Sequence, residues 1–228
     1  MVGEPEQEKY RRLVGKLMYV IAERPHLAYP VKQLARKVSG PDRLDMERLK
    51  RVARYLAGRL DYALKLQWDF SAEEGEIKVV VDADWATSPD RRSTSGGYLQ
   101  FQGVLLTYWS RTQPTISTST CEAELVSMFT GVQEAALLQS LMKELALVTS
   151  MRAWSDSTSA LAFTEKRGVG RMKHLDIKFL MLQDMVRQNA LSTGYLETTS
   201  NPADMFTKGL NAKVLEKHCG TLGFSRLE

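Results

Sequence analysis

The sequence predicts an α/β protein: a mixed sheet flanked by helices, preceded by a small all-helical segment. Three observations predict it. Residues 8–57 carry only helical periodicity. Three strand-like runs follow in close succession, EIKVVVDA, GGYLQFQG and VLLTYWSR. Beyond residue 120, helical and strand-like stretches alternate, the pattern of a sheet with helices on its faces.

The elements follow in order. EKYRRLVGKLMYVIAE, 8–23, puts Leu13, Leu17, Val20 and Ile21 on one face, and Pro25 stops that helix. A second helix spans about 27–38 and is broken by SGP at 39–41. A third spans about 42–57, with Leu44, Leu49, Val52 and Leu56 as core candidates and Gly58 as its C-terminal cap. Next come the three strands, with a turn at Gly103 between the second and third, and a long helix over about 121–146. A strand at 151–155, helices at 157–165 and 173–188, a strand at 191–197 and helices beyond Pro202 complete the chain. The predicted domains are a helical segment, 1–68, and a mixed α/β domain, 69–228.

Hydrophobic residues make up 43% and charged residues 25% of the 228, an ordinary globular balance. No apolar run approaches the ~18 residues of a membrane span, and the first ten residues are polar, so neither a membrane helix nor a signal peptide is expected. Cys121 and Cys219 form no metal-binding or disulfide pattern, which fits a reducing compartment. Charge is uneven. Residues 1–70 hold 15 Lys/Arg against 9 Asp/Glu, whereas 71–228 hold 16 against 18. The basic part could lie along a polyanion or simply form a solvated helical surface.

Four acids stand out. Asp82 closes a buried-type strand, at a sheet end where open α/β folds keep their sites. Alone it also reads as a loop-starting Asp bonded to nearby backbone. Glu124 is more telling. Met128, Val132, Ala135 and Leu138 follow it at helical spacing, so it points along an apolar stripe, where a carboxylate is costly unless paired or metal-bound. Its neighbour Glu122 fits a capping box with Ser119. Asp156 ends a strand and could be a helix N-cap. Asp204 falls in a first helical turn behind Asn201 and Pro202, where the helix dipole favours an acid. These four come from separate elements that a folded sheet could gather. Hard oxygen ligands with few histidines suit Mg²⁺ or Mn²⁺. Two such ions ~3.5–4 Å apart can serve phosphodiester cleavage.

The stretches DADWATSPDRRSTSGGYL, WSRTQPTISTSTCEAELVSM, WSDSTSALA, KHLDIKF and NPADMFTKGL resemble, in order and spacing, the RNase H domain of copia-type retrotransposon Pol polyproteins. YRRLVGKLMYVIAERPHLAYPV and LKRVARYLAG resemble the connection that precedes it after the reverse transcriptase palm. The resemblance covers about residues 9–223. It implies an RNase H-like mixed five-stranded sheet and endonucleolytic cleavage of RNA in RNA–DNA hybrids, leaving 3′-hydroxyl and 5′-phosphate ends. It implies that Asp82 bridges two Mg²⁺ or Mn²⁺ ions, that Glu124 and Asp156 hold the ion near the leaving group, and that Asp204 holds the ion that activates water. Integrase shares the fold, but the order of the acids and NPADMFTKGL favour RNase H.

Arg91 and Arg92, with the Ser93-Thr94-Ser95 hydroxyls, are expected to hold backbone phosphates or to shape the adjoining turn. Lys166, Arg167, Arg171, Lys173 and His174 either grip hybrid phosphates or form a solvated face. Trp85, Trp109 and Trp154 read as core more than as stacking platforms. Asp84 is the rival of Asp82 for the strand-end position. The chain departs from the family where ETTSNPAD lacks a histidine before the last acid, where Cys121 replaces a small hydroxyl residue and where His26 replaces an Asp. It shows no YxDD, so no polymerase activity is expected, and the palm is an expected partner. The alternative is an inactive relic or a module that only holds the duplex. The family's reverse transcription implies cytoplasmic particles, with the nucleus as a second location.

Overall fold

The computed structural model describes residues 3–66, 75–168 and 178–227. In chain order these form α1 (Glu4–Val20), a 3₁₀ turn (Pro25–Leu27), α2 (Ala28–Ala35), α3 (Arg43–Ala57), β1 (Tyr62–Leu64), β2 (Gly75–Asp84), β3 (Thr94–Phe101) and β4 (Val104–Thr112). Then come α4 (Thr120–Glu144), β5 (Thr149–Ser155), α5 (Thr158–Glu165), α6 (Lys178–Arg187), β6 (Ser192–Tyr195), 3₁₀ turns at Thr198–Ser200 and Pro202–Phe206, α7 (Ala212–Thr221) and β7 (Phe224–Arg226). No helix among the described residues is long and apolar enough to cross a membrane.

The chain divides into two compact units, 1–65 with 209–228, and 66–208. This corrects the expected second domain, whose last residues, 209–228, pack with the helical unit instead. The reason is a short antiparallel ladder: β7 pairs with β1 through Tyr62↔Arg226, Ala63↔Ser225 and Leu64↔Phe224. An Arg59–Glu216 ion pair at 3.0 Å adds to it. Strands this short leave almost no periodic trace in sequence.

The first unit is built on Tyr10, Val14, Leu17, Val31, Leu34, Leu49 and Val52, all buried. The Tyr10 hydroxyl donates to the Leu34 carbonyl at 2.9 Å. α3 opens on a reciprocal cap: the Asp45 amide donates to Asp42 Oδ1 at 2.8 Å and the Asp42 amide to Asp45 Oδ2 at 3.2 Å. That cap buries Asp45 and leaves Leu44, an expected core residue, 56% exposed. His26 is buried among Tyr55, Tyr62 and Phe224, with ring centroids 5.3–6.1 Å away.

The second unit holds a five-stranded sheet of order β4-β3-β2-β5-β6. β2, β3 and β4 form an antiparallel meander, while β5 and β6 run parallel to β2 and to each other, respectively. This is the RNase H-like mixed sheet expected from the sequence. β2 is central because Ile77, Val79, Val80 and Val81 are all fully buried, as a strand covered on both faces must be. α4 packs Leu125, Met128, Val132 and Ala135 into the same core. Its close approach needs Gly131, where a Cβ would sit 2.7 Å from Val79 Cγ1.

One prediction concerns His26. Burial, with help from Arg24 and Arg59, lowers its pKa to about 4. The unfolded chain therefore binds a proton below pH ~6.5 that the folded chain refuses until pH ~4. Stability is full above that upper value and falls as pH drops through the window, by up to about 3 kcal/mol. Amide-exchange protection in α3 should drop between pH 7 and pH 4.5, and His26→Phe should flatten that dependence.

Candidate active site

Asp82 is the last residue of β2's buried run and is 4% exposed. Its backbone is fixed first. The Ser127 hydroxyl of α4 donates to the Asp82 carbonyl at 2.7 Å. On the neighbouring residue, Asn201 Nδ2 donates to the Val81 carbonyl at 3.2 Å, while Asn201 Oδ1 accepts from the Ala203 amide at 3.0 Å. One side chain thus caps the 202–206 turn and pins it to the strand. The glycine pair Gly96-Gly97 makes room. Gly96 is the register partner of Asp82, and a Cβ there would lie 2.6 Å from Thr207 Cγ2. A Cβ on Gly97 would lie 2.4 Å from Trp109 Cζ2.

Asp82, Glu124 and Asp156 each present an oxygen within 4.8 Å of the others. They arrive from β2, from the first turns of α4 and from the end of β5, as the sequence implied. Glu124 is 8% exposed; its Oε1 accepts from the Ala83 amide at 3.3 Å, and its Oε2 is buried without a partner. Burial raises the Glu124 pKa to about 9, with Asp82 and Asp156 adding repulsion. Burial likewise raises Asp82 to about 7, opposed by a hydrogen bond from Thr207 and raised further by Asp204. Asp156 is free for this grouping because the N-cap of α5 is Ser157, whose hydroxyl accepts from the Ala160 amide at 3.3 Å.

Asp204 lies outside the three-acid grouping but close enough to act on Asp82. Its Oδ1 pairs with Lys208 Nζ at 2.8 Å. The Thr207 hydroxyl donates a hydrogen bond to Asp82 Oδ2. Thr207 and Lys208 are the site residues that sequence reasoning missed, although both stand in NPADMFTKGL. Asp84, the rival acid, instead accepts from the Thr87 hydroxyl at 2.5 Å in the loop after β2.

The expected phosphate contacts divide. Arg91 and Arg92 are exposed, as are Lys166 and Arg167. Ser93, Thr94 and Ser95 are buried, which removes them as phosphate ligands. They shape the turn instead: Ser93 Oγ accepts from the Ala86 amide at 3.2 Å, and Ser95 Oγ accepts from Gln113 Nε2 at 2.8 Å. Arg91 itself turns the chain at φ 59°. Arg171, Lys173 and His174 lie outside the described residues. Trp109 is core, whereas Trp85 is 42% exposed and ties the loop down by donating to the Ser117 carbonyl at 2.9 Å.

An oxygen-only donor set with one buried, unpartnered carboxylate oxygen fits a hard divalent cation.

No family model matches the chain. It is 31% identical over 210 residues to the retrovirus-related Pol polyprotein from transposon TNT 1-94 of Nicotiana tabacum, covering 90% of this chain and 16% of that protein. It is 28% identical over 223 residues to the Pol polyprotein from transposon RE1 of Arabidopsis thaliana, covering 96% and 15%. A third relative, secreted RxLR effector protein 161 of Plasmopara viticola, is 35% identical over 133 residues, 57% of this chain and 90% of that one. Among solved structures, an RNase H1 isolated from compost overlaps 62% of this chain and 96% of its own, with a TM-score of 0.47 and 15% identity. The chain spans about a sixth of the length of the Pol polyproteins it matches. Along nine-tenths of its length, then, the homologues of this chain are copia-type retrotransposon Pol polyproteins.

Proposed function

We propose that the chain is a metal-dependent endonuclease that cuts the RNA strand of RNA–DNA hybrids. The observation that carries this reading is the meeting of Asp82, Glu124 and Asp156 within 4.8 Å, with Glu124 Oε2 buried and unpartnered. Such a group is unfavourable in a folded protein unless something positive completes it. Asp82, Glu124 and Asp156 would hold Mg²⁺ or Mn²⁺, and Asp204 would supply a further ligand for the second of two ions. The bound ions would lower the pKa of a water and stabilise the leaving oxygen. Thr207 orients the Asp82 carboxylate, and Ser127 and Asn201 fix the strand beneath it.

The family resemblance and the placement of charge support this choice of substrate. Arg91, Arg92, Lys166 and Arg167 are exposed cations suited to backbone phosphates, and Arg171, Lys173 and His174 would extend that surface. Selection of RNA requires a contact to the 2′-hydroxyl, which we assign to the Glu124 side of the site. In the element the chain would work beside the reverse transcriptase palm, in cytoplasmic particles.

Two predictions test this reading. The first concerns the site without cations. Folded Asp82 and Glu124 keep protons that the unfolded chain loses above pH ~4. Their contribution to stability is therefore full at low pH and falls as pH rises from about 4 to 9. In chelator at pH 8, Asp82→Asn and Glu124→Gln should each raise stability, by roughly 2–4 kcal/mol, and flatten the pH dependence. Added Mg²⁺ should raise the wild-type Tm and leave Asp82→Asn unmoved, as thermal melts would report. The second is direct. The purified chain should cut only the RNA strand of a labelled hybrid, with Mg²⁺ or Mn²⁺ but not with chelator. Asp82→Asn should lose at least about 10³ of that rate while still binding hybrid. A folded wild-type chain that binds the hybrid but never cuts it, even with a palm added in trans, would identify a duplex-holding relic instead.

A further inference from the structure

Lys208 is the surprise of the site. It follows Asp204 by four residues, and its amide donates to the Asp204 carbonyl at 3.1 Å. One helical turn therefore aims its side chain back at the acid, and Nζ lies 2.8 Å from Asp204 Oδ1. The two ends of the pair differ in exposure: the Asp204 side chain is 10% exposed and that of Lys208 41%. The acid is thus fixed in the protein, while the ammonium sits on a long stem with a path to water. Its charge also acts on Asp82 and Glu124, and it offsets the repulsion at both.

We propose that Lys208 is a tethered counter-ion that stands in for a divalent cation at Asp204 and must be displaced before that cation binds. This rests on the metal-dependent reading above and deepens it. An acid already paired with an ammonium is a poorer ligand, because a cation must replace an existing favourable contact as well as shed its own water. Lys208 therefore weakens ion binding. In return it holds Asp204 beside Asp82 when no ion is present, preserving the ligand geometry. Lys208 is a positioning residue, not a ligand, and its half-exposed stem lets the ammonium leave without leaving a charge buried.

The test uses the full chain without nucleic acid. Mn²⁺ binding is measured by calorimetry at pH 8 for the wild type, Lys208→Met, Lys208→Gln and Asp82→Asn, with thermal melts in chelator alongside. Both neutral variants should bind Mn²⁺ roughly fivefold more tightly than the wild type, the scale of losing a partly exposed ion pair. Both should also melt at a lower temperature in chelator. Two substitutions of different shape separate loss of charge from a packing effect. If the wild type binds Mn²⁺ through Asp82 and neither Lys208 variant binds more tightly, Lys208 is not a competitor, and the nuclease reading stands. If the folded wild type binds no Mn²⁺, both the nuclease reading and the role of Lys208 fall together.

Discussion

The structure turns on placing a carboxylate where water scarcely reaches. Asp82 continues a run, Val79 to Val81, that is fully buried, and it is itself only 4% exposed. Ionising an acid there is opposed by desolvation and by two further acids within 4.8 Å. What surrounds it compensates in part. The Thr207 hydroxyl donates to Asp82, the Ala83 amide donates to Glu124, and the Lys208 ammonium neutralises Asp204. None of these supplies what three converging carboxylates need, and Glu124 Oε2 stays without a partner. The shortfall is in positive charge, which is why the site reads as a cation site and not as a buried polar network.

Much of the surrounding packing serves to hold that arrangement. Close approach of the 202–206 turn to the sheet requires glycine opposite Asp82, and Gly96 stands there. Close approach of α4 requires Gly131 over Val79. Ser127 and Asn201 then tie helix and turn to adjacent backbone carbonyls of β2. A larger residue at either glycine would displace an element carrying an acid, so backbone packing around the carboxylates sets their separation. The RRSTSGG sequence after β2 has a structural logic too. Its arginines face solvent, its serines bond the turn inward, and its glycines admit Trp109 and the 202–206 turn.

What could be read from sequence followed from periodicity and from chemistry out of place. The alternation and the apolar runs located every strand of the five-stranded sheet. Glu124 on an apolar stripe was legible because a carboxylate has no ordinary reason to be there. Asp156 was ambiguous, since nothing in SDSTSA says whether Asp156 or Ser157 caps the helix; the hydrogen bond to Ala160 settles it for Ser157. Thr207 and Lys208 were not legible. A threonine and a lysine near a helix end are unremarkable until the fold turns one toward Asp82 and the other toward Asp204. The phosphate role offered for Ser93 to Ser95 failed because hydroxyl-rich turns look alike whether they serve a ligand or their own backbone. Pairing of β1 with β7 escaped because three-residue strands separated by most of the chain carry no local signature.

The same carboxylates link stability to cation binding. A buried acid that keeps its proton destabilises the fold less than one that is ionised, so without a cation Glu124 settles into the protonated form. A cation at this site must therefore expel protons as it binds, and its apparent affinity rises with pH. The cost of crowding the acids is borne by the apolar contacts of Val79 and Val81 with Met128 and Val132, which do not depend on charge. That division explains why the acids sit at the end of the strand and on the first turns of the helix. One step back along β2, at Val81, or one step further along α4, at Leu125, they would interrupt the contacts that make their crowding tolerable.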